Sequence, residues 1–350
     1  MGDLPSSRIT KSRPFEKVGV DFAGPLVTKC QHLRKATQFK SYLCLFICTA
    51  TRAVHLELVS SMSTEAFLSA LRRFIARRGH PTDILSDNGS NFIGSDNYLK
   101  QLFKLVQDQS VQNFLTVRNI SWKFIPPYAP NFGGVWESSI KLAKRHLFKT
   151  CQGHLLNFEE LSSLLCQIEA CINSRPLVPL SNDPADLRAL TPGHFLIGEP
   201  LLELPEGTSL TNQNLSLSCR WKSLLQLKHQ FWNRWTRDVL HHLQARRKWH
   251  QHRPPLSVGD LVLIQADNMP PLSWPLARIL EIIPGTDGIP RVALLRTPSG
   301  PAKRAINRLI ALPVPTCRAP EDGDSSERQQ MAQRKSRTLN SCLCSGTRHS

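Results

Sequence analysis

The sequence predicts an α/β fold built on a mixed sheet, followed by a long helix and a small β-barrel. Three strand patterns precede helices that alternate with further strands, which is the order expected of a sheet covered by helices. An amphipathic helical pattern at 220–249 comes next and ends before Pro254-Pro255. Four short strand patterns between residues 260 and 312, each gap punctuated by Pro or Gly, predict the barrel.

The sheet is predicted from period-two alternation and short apolar runs. Residues 18–23 alternate large apolar side chains with Gly19, Asp21 and Ala23, so one face of this strand is apolar and the other carries small residues around an acid. The remaining strands of this sheet are predicted at 40–49, 53–59, 83–86 and 121–125.

Capping signals bound the helices of the first part of the chain. Thr64 is predicted to cap a helix at 64–78, which Gly79 ends. Gly133-Gly134 precede a helix predicted at 135–149, and Asn157 with Glu160 forms a capping box for a helix that runs to about 173. A helical insertion is predicted at 97–118.

Composition and charge point to a nucleic-acid partner. The longest apolar run, 42–50, is too short to span a bilayer, so no membrane partner is expected. The net charge is +17, and residues 219–310 hold 15 of the 44 Lys and Arg but only 5 of the 27 Asp and Glu. Such a localised basic excess is typical of proteins that bind polyanions, whereas charge kept for solubility is spread evenly. The ten cysteines form no C-x-x-C pair and predict mostly buried free thiols.

Three acidic residues are candidates for a shared metal site. Asp21 lies mid-strand between small neighbours, where a buried carboxylate needs a cation or a partner. Asp87 directly follows a predicted strand, and Glu137 is expected in the first turn of the helix after Gly133-Gly134. Three carboxylates suit Mg²⁺, and two such ions can clamp the attacking and leaving oxygens of a phosphoryl transfer.

Each acid also has an ordinary structural interpretation. Asp21 can pair with a buried Lys or Arg, and Asp87 can be a turn aspartate, which is the favoured interpretation of that residue alone. Glu137 can stabilise the positive end of its helix. The hypothesis of a metal site therefore depends on the three acids taken together.

Basic residues near these acids and in the long helix are candidates for contacts with nucleic acid. Lys141, Lys144 and Arg145 share a helix face with Glu137, where a phosphodiester backbone would lie, although a solvated charged face is an equal alternative. The basic end of the long helix adds Arg246, Arg247 and Lys248. The tryptophans of that helix are expected to pack in a core or a subunit contact rather than stack on bases; they include Trp232, Trp235 and Trp249.

Three segments resemble the Asp, Asp, Glu signature of retroviral-type integrases. They are VGVDFAGP around Asp21, LSDNGSNF around Asp87 and PPYAPNFGGVWESSIKLAKRHL around Glu137. Together with LTPGHFLIG at 190–198 and the segment from Trp221 to Leu312, they are similar in particular to integrases of BEL/Pao-type LTR retrotransposons. The resemblance covers about residues 13–312.

The resemblance implies an RNase H-like catalytic core and an SH3-like, DNA-binding C-terminal barrel. It implies two Mg²⁺ or Mn²⁺ ions held by Asp21, Asp87 and Glu137, and donor-DNA contacts at Lys141 and Lys144. The reaction is then metal-dependent processing of DNA 3′ ends and their joining to target DNA, performed in the nucleus by a homo-oligomer bound to double-stranded DNA. The expected organisation is an N-terminal extension at 1–13, the core at 14–180, an irregular connection at 181–218, a basic helix at 219–253, the barrel at 254–312 and a disordered tail at 313–350.

The chain departs from the family in two respects, and two rival functions stay open beside the integrase. The family's N-terminal zinc domain is missing, as expected of a polyprotein fragment or a truncated gene. Asp87 and Glu137 are separated by 49 residues, wider than the compact retroviral spacing, which the insertion at 97–118 explains. The rivals are an RNase H-like nuclease that cleaves without joining and a truncated DNA-binding derivative without catalysis.

Overall fold

The structure is a computed structural model that describes most of the chain between residues 12 and 312. Residue 124 and residues 130–140 are described by their backbone only. The described ranges are 12–30, 37–86, 105, 107–124, 130–181, 183–201, 220–243, 256–266, 269–286 and 290–312.

A six-stranded mixed sheet forms the centre of the first part of the chain. Its order is β3-β2-β1-β4-β5, with the short β6 paired to the far end of β1. Strand β2 runs antiparallel to both of its neighbours, β1 and β3, whereas β4 pairs in parallel with both β1 and β5. The strands are β1 (Lys17–Lys29), β2 (Gln38–Cys48), β3 (Val54–Val59), β4 (Asp83–Ser86), β5 (Ser121–Phe124) and β6 (Leu156–Asn157).

Helices cover both faces of this sheet, as the predicted α/β class requires. On one face, α1 and α2 bury Phe67, Phe74 and Val111 against apolar residues of β1 and β2. The other face is covered by α3, α4 and α6. The helices are α1 (Thr64–Arg78), α2 (Gln109–Val117), α3 (Pro130–Cys151), α4 (Phe158–Asn173), the single turn α5 (His194–Ile197) and α6 (Arg220–Leu243).

Period-two alternation assigns the side chains of β1 to the two faces. Val18, Val20 and Phe22 are buried with α1 and α2, whereas Ala23 is buried with α3 and α4. Strand β1 is longer than the pattern predicted, because its pairing with β2 continues past an irregularity between Ala23 and Leu26. The alternation that singled out Asp21 in the sequence is therefore confirmed.

The capping predictions are mostly confirmed. Gly79 ends α1 with φ of 88°, and Asn157 and Glu160 form the predicted capping box of α4. The N-cap of α1 is Ser63 rather than the predicted Thr64, because the Ser63 hydroxyl accepts the Ala66 amide proton at 3.3 Å. At the start of the predicted irregular connection, a small hairpin pairs β7 (Val178–Pro179), which precedes the connection, with β8 (Ala189–Leu190), which lies within it, and the turn α5 follows.

The last described segment is a five-stranded antiparallel sheet of order β12-β11-β10-β9-β13. The prediction of one continuous strand at 304–312 is wrong, because a turn of 3-10 helix at Ile306–Arg308 divides this range. The residues before the turn pair with β11 and those after it pair with β9. The strands are β9 (Leu261–Ile264), β10 (Leu276–Pro284), β11 (Pro290–Thr297), β12 (Gly300–Ala305) and β13 (Leu309–Ala311).

The long helix α6 packs as part of the core. Phe231, Trp232 and Trp235 are each no more than 1% exposed and join the cluster that covers the first sheet. The prediction that the tryptophans of this helix serve packing is thus confirmed for Trp232 and Trp235, while Trp249 lies outside the described residues. Among the described helices, none has the length and apolarity to cross a membrane.

Candidate active site

Asp21 lies on the face of the central strand that α3 covers. It pairs in register with Leu45 of β2, and the residues on either side of it along this face are the small Gly19 and Ala23. The Asp21 side chain is 30% exposed, so it is neither sealed in the core nor fully solvated. That these small neighbours leave space above the carboxylate for a ligand stays a prediction.

Lys144 of α3 provides the counter-charge of Asp21. The Lys144 ammonium donates to Asp21 Oδ2 and, at 2.9 Å, to the carbonyl of Phe22. The other carboxylate oxygen, Oδ1, accepts the Phe22 amide proton at 2.7 Å. Lys144 is only 15% exposed, so the interaction is partly sheltered from water. Of the two interpretations offered for Asp21, pairing with a basic residue is therefore present in this structure.

The neighbouring strand ends directly beside Asp21. Strand β4 runs parallel to β1, and its last residue, Ser86, is in register with Val20. The carboxyl end of β4 is thus level with the position of Asp21, and such ends are where polar residues of α/β sheets converge. Asp87 is the next residue of the chain, and it lies outside the described residues.

Helix α3 carries the third predicted acid, and its position in the helix was predicted wrongly. The helix begins at Pro130 rather than at 135, so Glu137 lies beyond the first turn and the expected stabilisation by the helix N-terminus does not apply. Pro is well tolerated in a first helical turn, and tertiary packing overrides the weak preferences of Gly133 and Gly134. The Glu137 side chain is outside the described part of the structure.

The helical repeat relates Glu137 to the pair on the sheet. Glu137 stands seven residues before Lys144, which is two turns or about 10 Å along the axis, so both positions lie on one side of α3. Since Lys144 contacts β1, the backbone places Glu137 on the side of α3 nearest the sheet. The structure therefore describes the side chain of Asp21. For Asp87 it describes the preceding strand β4, and for Glu137 the backbone of α3.

The carboxylate set fits a hard divalent cation. Carboxylate oxygens are the donors that Mg²⁺ and Mn²⁺ prefer, and Asp21 already holds a cationic group in a partly sheltered position. Within the described ranges there is no group of three or more His, Cys, Asp or Glu that could hold a metal. The side chains of Asp87 and Glu137 lie outside the described part of the structure, so the complete set of three ligands stays a prediction.

The predicted basic residues have different surroundings. Lys141 is exposed, Lys144 is engaged with Asp21, and the Arg145 guanidinium donates to Asp238 of α6 at 2.6 Å. The predicted DNA contacts of the long helix lie outside the described residues; they are Arg246, Arg247 and Lys248.

Asp238 is a structural anchor that the sequence interpretation missed. It accepts hydrogen bonds from Arg145 and, at 2.9 Å, from His146 Nε2, and so ties α6 to α3. Burial alone would raise the pKa of Asp238, but the hydrogen bonds and charges of His146 and Arg145 outweigh burial and hold its pKa low. The signal was available, because Asp238 is the only acidic residue of α6.

A second buried polar cluster lies at the edge strand β3. His55 is 1% exposed and contacts Glu57 at 3.1 Å and Glu169 of α4 at 3.2 Å. Arg73 and Arg78 of α1 balance the two carboxylates. Burial lowers the pKa of His55, but its hydrogen bonds with Glu169 and Glu57 outweigh burial and raise it overall. This cluster joins two helices to the sheet edge, a structural role that its separated residues did not reveal in the sequence.

Two family comparisons cover separate parts of the chain. Residues 12–130 match the Integrase core domain family. The matched segment contains Asp21 and Asp87 and ends before Glu137. Residues 219–312, which comprise α6 and the C-terminal sheet, match a family of unknown function, DUF5641. The first match therefore includes two of the three motifs, those around Asp21 and Asp87.

Similar solved structures include retroviral assemblies of low overall similarity. A chain of the simian T-cell lymphotropic virus intasome in complex with PP2A regulatory subunit B56 gamma is 14% identical, with a TM-score of 0.37 over 90% of this chain and 85% of that one. Two structures of the HTLV-2 integrase catalytic core domain in complex with magnesium also match. The dimeric form is 19% identical, with a TM-score of 0.30 over 46% of this chain and 88% of that one. The trimeric form is 18% identical, with a TM-score of 0.33 over 53% of this chain and 97% of that one. No curated protein matches the chain.

Proposed function

We propose that this chain is a retroviral-type integrase, a polynucleotidyl transferase that processes DNA 3′ ends and joins them to target DNA. The observation that carries the proposal is the coincidence of the Integrase core domain match at 12–130 with the sheet topology. That topology brings the end of β4 level with Asp21, in the matched segment, and α3 brings the position of Glu137 to the same face.

In this proposal, Asp21, Asp87 and Glu137 hold two Mg²⁺ or Mn²⁺ ions. Bound there, such ions would lower the pKa of a water or a DNA 3′-hydroxyl and stabilise the leaving 3′ oxygen. The sheet fixes Asp21, since β2 pairs with Asp21 itself and β4 pairs with the residues before it, up to Val20. Lys144 holds the Asp21 carboxylate in this structure, and a metal ion bound by Asp21 would release its ammonium group to contact a phosphate.

The C-terminal part of the chain supplies DNA binding in this proposal. We place the five-stranded sheet in the SH3-like class and assign it, with α6, to phosphate contacts that do not depend on sequence. The basic excess of residues 219–310 supports this assignment. We further propose that the chain acts in the nucleus as a homo-oligomer on double-stranded DNA, as an integrase of a BEL/Pao-type LTR retrotransposon.

A strand-transfer assay with a pre-cut DNA end tests the catalytic proposal. Glu137→Gln is expected to abolish metal-dependent joining and to leave DNA binding nearly unchanged, because it removes a metal-holding charge and not a phosphate contact. Glu159→Gln is the matched control, since Glu159 is an exposed acid of α4. Joining by Glu137→Gln at the wild-type rate would contradict the site assignment.

Two outcomes with the wild-type chain would favour the rival functions. Metal-dependent cleavage without any joined product would identify an RNase H-like nuclease. DNA binding without cleavage or joining would identify a DNA-binding derivative that has lost catalysis.

A further inference from the structure

A basic cleft lies between α3 and α6, and its α3 residues follow Lys144 towards the C-terminal end of that helix. Its volume is about 540 Å³ and it is open to solvent. Both helices contribute polar side chains to its walls and no apolar one. The lining residues are His146, Lys149 and Gln152 from α3 and its end, and Arg234, Arg237 and Asp238 from α6.

The charge of this cleft is strongly positive. Lys149, Arg234 and Arg237 are exposed, and none of the three has a hydrogen bond or ion pair with another residue in the described ranges. The single acid of the cleft, Asp238, is already neutralised by Arg145, so it does not offset them. The carboxyl end of α3 also lies here, and its partial negative charge opposes a bound anion by less than about 1 kcal/mol at such an exposed position.

The geometry of the cleft is held by the anchor at its floor. Asp238 bonds Arg145 at 2.6 Å and His146 at 2.9 Å, and His146 is 5% exposed. Arg234 and Arg237 are one turn apart on α6, and the buried Trp235 between them fixes the helix against the core. The free cations therefore project from two helices whose separation is fixed, and such preorganisation favours a rigid polyanion.

We infer that this cleft binds the phosphate backbone of duplex DNA. Arginine guanidinium groups bind phosphate oxygens in a bidentate manner, and two of them beside a lysine suit successive phosphates. The open and polar walls fit a continuous backbone better than a small enclosed ligand. The inference rests on the proposed function, in which DNA is the substrate, and it adds Lys149, Arg234 and Arg237 to the residues that contact it.

The distance along α3 connects the cleft to the candidate active site. Lys149 follows Lys144 by five residues, a rise of about 7.5 Å and a rotation of about 140° around the helix axis, so the cleft lies near the candidate active site but on another side of α3. The cleft would then position DNA without touching the reacting atoms.

Fluorescence anisotropy with a labelled DNA duplex of arbitrary sequence, measured over a series of salt concentrations, tests the inference. Arg234→Ala combined with Arg237→Ala is expected to raise Kd about tenfold and to lower the slope of log Kd against log salt by about two, since each phosphate contact contributes roughly 0.9. The control pair Lys40→Ala with Arg72→Ala removes the same charge from exposed positions of β2 and α1 and should leave the slope unchanged.

Three results would overturn the assignment. The first is an unchanged slope in the double variant of α6 while circular dichroism shows it folded. The second is an equal loss in the control pair, which would reduce the effect to net charge. The third is displacement of DNA by pyrophosphate as effectively as by unlabelled duplex, which would make the cleft a site for small phosphates. Failure of the cleft is distinguishable from failure of the proposed function, because the wild-type chain would still join DNA ends.

Discussion

Replacing Lys144 with methionine tests the pairing of Asp21 directly. The substitution keeps the aliphatic stem but removes the ammonium, and leaves the Asp21 carboxylate with the Phe22 amide as its described donor. Sheltered hydrogen bonds to charged groups contribute about 1.5–3 kcal/mol, whereas exposed ion pairs contribute less than about 1 kcal/mol. Because Lys144 is 15% and Asp21 30% exposed, we expect a loss of about 1–2 kcal/mol in the free energy of unfolding.

Urea unfolding without divalent cations measures this loss. A double-mutant cycle with Asp21→Asn should give a coupling of about 1 kcal/mol, because each single change removes the same interaction. Lys123→Met is the control, since it breaks a pair with Asp83 at 2.5 Å in which the lysine is 59% exposed. That control should cost less than about 1 kcal/mol.

Added MgCl₂ extends the test to the proposed metal site. If Asp21 is a metal ligand, Mg²⁺ replaces the missing ammonium and restores stability to Lys144→Met but not to the double variant. A Lys144→Met variant that loses no more stability than Lys123→Met, with zero coupling to Asp21, would refute the reasoning about this pair.

Three further predictions concern the scaffold around the site. Asn173→Ala should lower the free energy of unfolding by about 2–5 kcal/mol in urea, because the Asn173 amide makes two buried 2.8 Å hydrogen bonds with the backbone of Val54. The control Asn233→Ala, at an exposed position, should cost under about 0.5 kcal/mol. Equal losses in the two variants would contradict this prediction. The raised pKa of His55 means that its stabilising effect is complete below the ordinary value of 6.5 and is lost as pH rises through the higher folded pKa. The difference in unfolding free energy between wild type and His55→Phe should therefore shrink as the pH rises through the folded pKa of His55. A difference that grows with pH would refute the raised pKa. Phe231→Ala should cost about 3–5 kcal/mol by the same assay if α6 is part of the core, whereas a loss below about 1 kcal/mol would mean that α6 is a detached arm.

The local rules of the sequence predicted the elements that position Asp21. Alternation along β1 identified both the apolar face and the small residues beside the acid, and the capping box of Asn157 fixed the start of α4 within one residue. The start of α3 was missed because Gly133-Gly134 are locally unfavourable in a helix, and only the packing of that helix on the sheet overrides them.

Long-range contacts could not be predicted in the same way. The sequence showed that Asp21 requires a cation or a partner, but Lys144 is 123 residues away and no local rule selects it. The cleft between α3 and α6 likewise depends on how two distant helices pack. Arg234 and Arg237 line this cleft because Asp238 joins their helix to Arg145 and His146 of α3.

The indole of Trp274 lies where the two sheets meet. It packs with Trp232 of α6 and contacts both the apolar cluster that covers the first sheet and the apolar cluster of β9 and β13. Its ring N–H donates to the Ser174 hydroxyl at 3.1 Å. Arg278 strengthens the junction by donating to the carbonyls of Ser181 and Asp186. Heat or denaturant should consequently unfold the central six-stranded sheet and the carboxy-terminal sheet in a single transition, and a force applied to one sheet will be transmitted to the other.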